Sequence, residues 1–113
     1  MSVAGERKNL AVVMIAVEPC WLALSREERR EKRRQAEAAI AHHPEVEVAW
    51  FDGDGLSGRY SDFVTCRFGN LRSYQFLWEE LRDLDLFGKP YMRIVEVILG
   101  ASESYRDYEA TLA

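Results

Sequence analysis

Residues 10–17 carry no charge and are rich in β-branched side chains, a pattern that predicts a strand covered on both faces. The run stops at Glu18-Pro19. Ser25 followed by Glu28 forms a capping-box signature, so a long helix is expected from there to His43-Pro44, where the residue before proline leaves the helical region. Polarity then alternates over residues 45–51. Val46, Val48 and Trp50 fall on one face and Glu45 and Glu47 on the other, as in a half-exposed edge strand. Asp52-Gly-Asp-Gly55 supplies a turn, and residues 59–68 predict a strand with Tyr60, Asp62, Val64, Cys66 and Phe68 on one face. Asn70 caps a second helix, along which Leu71, Tyr74, Leu77, Trp78, Leu81 and Leu84 recur at helical spacing. Gly88 and Pro90 end it, and residues 91–99 predict a fourth strand before a polar tail.

The order βαββαβ predicts an α+β fold of the split-βαβ, ferredoxin-like kind: a four-stranded antiparallel sheet with two helices on one face. Two helices cover one side only, whereas the first and fourth strands are apolar on both. A second sheet is the simplest cover, so the expected functional unit is a homodimer, a dimeric α/β barrel. With 113 residues the chain is expected to be a single domain spanning 1–113, with flexible polar ends near 1–8 and 101–113.

Composition narrows the function classes. Hydrophobic residues make up 48% and charged residues 30%, which excludes disorder and a membrane-embedded chain. The net charge of −4 argues against a nucleic-acid partner. Residues 26–34 depart from that total, with six basic and three acidic residues, a local +3 where the rest of the chain sums to −7. The mixed sign reads as a solvated helix face with pairs such as Glu28 to Lys32, rather than a patch for an anionic partner. Two cysteines, Cys20 and Cys66, are too few for a disulfide scaffold and read as free thiols. The apolar run at 10–17 is too short to span a membrane and no small-residue cleavage site follows it, so a cytoplasmic location is expected.

Charged residues inside apolar rows are the informative exceptions, because a buried unpaired carboxylate costs several kcal/mol or shifts its pKa. Asp62 is one, with Trp50 expected beside it on the neighbouring strand. Glu96, placed with Ile94 and Ile98, is a second, and Arg93, between Tyr91 and Val95, is a third. The structural alternative is an ion pair of Asp62 with Arg93 or Arg59, or Glu96 pairing across a dimer. His42 and His43 are adjacent rather than spaced, which does not suit a metal pair, and their position suits a helix C-terminus instead. Asp52-Gly-Asp-Gly55 lacks the glycine and glutamate that a calcium loop needs.

Trp21-Leu-Ala-Leu-Ser-Arg-Glu-Glu-Arg29, His43-Pro44, Phe51-Asp52 and Ser57-Gly-Arg-Tyr-Ser-Asp-Phe63 resemble the darcynin family, and the match continues through Leu71, Tyr74, Glu80-Leu-Arg-Asp83, Pro90-Tyr91, Glu96 and Tyr105. The resemblance implies a small dimeric α/β-barrel protein and carries no established activity. Two better-understood users of this architecture are similar in part. Haem-degrading members would match at Asn9 and Trp78, but no histidine follows position 43, which argues against haem degradation. Cofactor-independent quinol monooxygenases would match at Trp78, Tyr91 and Arg93. The expected function is therefore small-molecule binding, with no cofactor or metal. The ligand would be aromatic or polyketide-like, and Trp50, Tyr60, Tyr74, Trp78 and Tyr91 would contact it. Chemistry, if present, would use Asp62 as general acid or base, Arg59 or Arg93 on a developing oxyanion, and Glu96 as a further charged group. The competing class is a non-catalytic ligand-binding or protein-interaction module; a deep pocket reaching Asp62 would favour the enzyme, and an Asp62–Arg93 pair in a solid core the module.

Overall fold

The computed structural model describes residues 7–53 and 58–112. In chain order the elements are β1 (Asn9–Val17), α1 (Pro19–Leu22), α2 (Arg26–Ala41), β2 (Glu47–Asp52), β3 (Asp62–Phe68), α3 (Leu71–Asp83), α4 (Asp85–Gly88), β4 (Met92–Ala101) and α5 (Ser104–Ala110). The sheet is antiparallel throughout, in the order β2-β3-β1-β4. That is the ferredoxin-like arrangement, with the expected half-exposed strand β2 at one edge. The expected turn at Asp52-Gly-Asp-Gly55 falls largely outside the described residues.

Local chemistry starts the helices where the sequence places them. At α2 the Ser25 Oγ accepts from Glu28 N–H at 3.0 Å, and the Glu28 carboxylate accepts from Ser25 N–H at 2.9 Å, which completes the capping box. Those bonds, with the Ser25 backbone donor leading, hold the Glu28 carboxyl below its ordinary range. At α3 the Asn70 side chain accepts from Arg72 N–H at 2.8 Å. Strand β3 begins at Asp62 rather than at 59; just before it, Ser61 ties the chain to the end of β1, its Oγ accepting from Val17 N–H at 2.9 Å and donating to the Ile15 carbonyl at 3.2 Å. The polar tail beyond β4 contains α5, whose first turn follows Glu103 in a left-handed conformation at φ 61°.

One face of the sheet carries the core. Ala11, Val13 and Ile15 of β1 and Val64, Cys66 and Phe68 of β3 are buried against Leu77, Trp78 and Leu81 of α3 and Leu86 of α4. From α2 the fully buried core residues are the alanines Ala36 and Ala39, with Ile40 packed partly buried beside them. The C-terminal end of α2 is tied to α3 through Glu80, which accepts from His42 Nδ1 at 2.7 Å and His43 Nε2 at 2.8 Å. The two histidine hydrogen bonds, His43 first, hold the Glu80 carboxyl below its usual range.

Beyond Met92 every residue of β4 is exposed. A register shift between Met14 and Ile15 leaves Val95 unmatched: Met14 faces Glu96 and Ile15 faces Ile94. This bulge corrects the expected alternation. Glu96 does not share a face with Ile94; it lies with Ile98 on the side of the sheet away from the helices, and Arg93 no longer alternates with Val95. The middle of that outer face is apolar, with Val12 and Met14 of β1, Ile98 of β4 at 52% exposure, and Phe51 stacked on Phe63 at 4.9 Å, while Glu47, Arg67 and Glu96 lie on the same side. No element among the described residues covers it.

Candidate functional site

Asp62 opens β3 and points toward the helices, 6% exposed. The register β2–β3 explains how its partner arrives. Trp50 stands opposite Val64 and Asp52 opposite Asp62, so Trp50 lies diagonally across from Asp62 on the same face and its indole N–H donates to Asp62 Oδ2 at 2.8 Å. Asp62 forms the floor of a cavity of about 510 Å³ between this end of the sheet and α1, α2 and α4. Trp21, Leu22, Trp50 and Met92 supply apolar wall, Asp52 stands beside Asp62, and the α2 side presents Arg29 and Arg33. The volume is in the range of small-molecule sites.

A second cavity of about 540 Å³ opens between α3, α4 and β4, lined by Tyr74, Trp78, Arg82, Phe87, Arg93 and Val97 among others. The two cavities share Met92. Phe87 stands between their aromatic residues, with its ring centroid 6.3 Å from Trp50 and 5.5 Å from Trp78. Burial pushes the Tyr74 hydroxyl up to about 12 and the Cys66 thiol up to about 11. The Trp78 N–H faces that thiol in a contact that opposes the shift weakly and falls short of hydrogen-bond geometry, leaving Trp78 Nε1 buried without a partner.

The residues expected to form one site therefore divide. Asp62 and Trp50 meet at the first cavity; Tyr74, Trp78 and Arg93 border the second. Tyr60, Arg59 and Glu96 gather on the outer face, where the Tyr60 hydroxyl donates to Glu96 at 2.5 Å and the Arg59 guanidinium lies 5.3 Å from the Tyr60 ring centre. That bond raises the Tyr60 pKa. Tyr60 thus does not share the face of Asp62. Tyr91 is buried edge-on against Trp21 at 6.1 Å, and its hydroxyl accepts from Lys89 Nζ at 3.0 Å, a bond that raises the lysine's pKa.

The alternative of an Asp62–Arg93 pair is not what forms. The residue level with Asp62 across β1 is Ile94, and Arg93 turns instead to Glu18, with Nε to Oε1 at 2.7 Å. Arg29 and Arg33 were masked in the sequence by their charged neighbours. The signal that finds them is spacing: Arg29, Arg33, Ala36 and Ile40 step by four, three and four along α2, which puts them on the cavity side, Arg29 half-buried and Arg33 exposed at the rim. Among the described residues no group of three or more His, Cys, Asp or Glu side chains is placed to hold a metal ion, and no helix is long and apolar enough to cross a membrane.

A ferredoxin-like α+β domain with an acid-floored cavity between helix and sheet is the class of protein these features define. Solved structures share the fold: a chlorite dismutase from Candidatus Nitrospira defluvii, in complex with imidazole, superimposes with a TM-score of 0.75 over 83% of this chain and 40% of its own, at 20% identity. A putative chlorite dismutase gives 0.75 over 94% of this chain and 48% of its own, at 15% identity. This chain spans less than half the length of those proteins, and at such identities the likeness is one of fold. The family model described as "Darcynin, domain of unknown function" matches residues 3–112, and the chain belongs to that family. Two relatives are a darcynin from Chromobacterium violaceum, 36% identical over 65% of this chain and 92% of its own length, and darcynin 1 from Acinetobacter baumannii, 31% identical over 79% of this chain and all of its own.

Proposed function

We propose that this chain binds a small, mostly apolar molecule in the Asp62 cavity and performs cofactor-independent acid–base chemistry on it. The observation that carries the reading is a carboxylate, buried at the floor of a cavity of about 510 Å³, that accepts from the Trp50 indole N–H. A group so placed can exchange a proton with a ligand atom placed above it, while the apolar walls exclude water. Trp21 and Trp50 offer flat surfaces to an aromatic or polyketide-like ring. Asp52, exposed and level with Asp62, gives the cavity a second carboxylate in a wetter environment, the usual arrangement for dividing acid and base roles. Tyr74, Trp78 and Arg93 belong to the neighbouring cavity, and we assign Tyr60, Arg59 and Glu96 to the outer face. The setting is cytoplasmic, in keeping with two unpaired cysteines.

A thermal-shift screen of aromatic metabolites against the wild type and Asp62→Asn tests this. A ligand that stabilises the wild type and loses its effect, or its turnover, in the variant supports the reading; stabilisation of neither by any compound leaves a non-catalytic interaction module.

The working unit is a homodimer packed through the outer sheet face. Support comes from coverage: Val12, Met14, Phe51, Phe63 and Ile98 form an apolar surface on a sheet whose other side packs its β1 and β3 residues against the helices, and two copies of one face complement each other about a twofold axis. A monomer at micromolar concentration in size-exclusion chromatography with light scattering would overturn it.

A further inference from the structure

We infer that the ligand of the Asp62 cavity carries a carboxylate, held by Arg29 and Arg33, on an aromatic body. The inference rests on reading that cavity as the binding site and adds the chemical class of what enters it.

Position comes first. Four residues along a helix advance about 6 Å and return to the same face, so Arg29 and Arg33 present two guanidinium groups one turn apart on the cavity's α2 wall. Of the other basic residues on that helix, Lys32 pairs with Asp85 at 3.1 Å and Arg34 with Glu31 at 3.2 Å, while Arg26 and Arg30 are exposed and do not line the cavity. Arg29 and Arg33 have no ion pair among the described residues, although Glu37, Asp52 and Asp62 line the same cavity. Arg29 Nε is buried with no acceptor. Buried donors in native proteins are almost always satisfied, and a planar guanidinium is the donor best shaped for a carboxylate.

Charge sets the limit on the ligand. Two arginines attract an anion, while the three carboxylates around the same space repel a second negative charge, so a monoanion is favoured over a phosphate monoester. Trp21, Trp50 and Leu22 then face the remainder of the molecule, which must be apolar and flat. Bound this way, the carboxylate sits on the helix wall and the ring extends toward the sheet, where Asp62 lies.

The test uses a matched pair, 2-naphthoate and 2-naphthamide, which share a ring and differ in charge. Binding to the full chain is followed by tryptophan fluorescence and calorimetry. The expected result is a preference of about tenfold or more for the acid at low salt, narrowing as salt is added. The double variant Arg29→Gln/Arg33→Gln should bind acid and amide alike, while Arg34→Gln, on the exposed side, keeps the preference. Because the amide is compared on every variant, a misfolded protein is recognised by loss of both compounds, and the salt titration on the wild type stands without any variant. Equal affinity of the wild type for acid and amide overturns the carboxylate inference and leaves the cavity as a binding site. Saturable binding of neither compound overturns both readings.

Discussion

Replacing Trp50 by Phe keeps a ring against Phe87 and removes one N–H, the donor that reaches Asp62 at 2.8 Å. Asp62 is 6% exposed, so water cannot freely take the donor's place. A hydrogen bond to a charged acceptor contributes about 1.5–3 kcal/mol, against about 0.5–1.5 for a neutral pair. The single variant also alters packing, so the measurement is a double-mutant cycle: wild type, Trp50→Phe, Asp62→Ala and the double variant, each unfolded in urea at one fixed chain concentration. Packing losses appear on both sides of the cycle and cancel. The expected coupling energy is about 1.5–3 kcal/mol at neutral pH. Asp62→Asn, which retains an uncharged acceptor, should retain only part of it. Coupling below about 0.5 kcal/mol would mean that the indole does not orient the carboxylate, and the basis for a proton-exchanging group at the cavity floor would be gone.

Three further outcomes follow from separate parts of the molecule. Cys20 is exposed whereas Cys66 is buried with its pKa raised to about 11, so a thiol reagent at mild alkaline pH should modify one cysteine per native chain quickly and the second only after denaturant is added. Glu80→Gln should lower the melting temperature above pH 4.5 and lose its effect as the pH falls below it: the histidine bonds depress the folded carboxyl below its unfolded value, so its stabilisation is present above that value and disappears on acidification. Ile98→Asp, on the outer face, should leave far-ultraviolet circular dichroism unchanged and convert the proposed homodimer to monomer in light scattering; a variant that stays dimeric would exclude this face as the interface.

Much of the fold is legible because its signals are local. The capping box at Ser25 and Glu28, the Asn70 cap and the two-residue alternation in β2 and β3 each express contacts made within a few residues or one buried face. The bulge at Val95 is not of that kind: it is decided by pairing with β1, and one added residue reverses the alternation on which the grouping of Glu96 with Ile94 depends. The site is half legible for the same reason. An acid in an apolar row marks Asp62 from the sequence, and the alternation of β2 brings Trp50 to it. The arginines on α2 escape notice because the helix fully buries only alanines, which give the face too little hydrophobic contrast to separate Arg29 and Arg33 from solvated neighbours. Helix α5 begins at a left-handed Glu103 with no side-chain cap, so nothing in the chain announces it.

The bulge has a consequence for what the chain avoids. Strand β4 is an edge rich in exposed apolar residues, Ile94, Val95, Val97, Ile98 and Leu99, and a straight edge of that composition is a template for unlimited strand addition. Val95 bends the strand and divides it into 92–94 and 96–101, out of step with each other, so an incoming strand that matches one segment misses the next. The proposed pairing of two sheets would close at two copies, and the bulge opposes growth beyond it along this edge. Removing Val95 would restore a regular ladder and open a route to amyloid-like polymerisation.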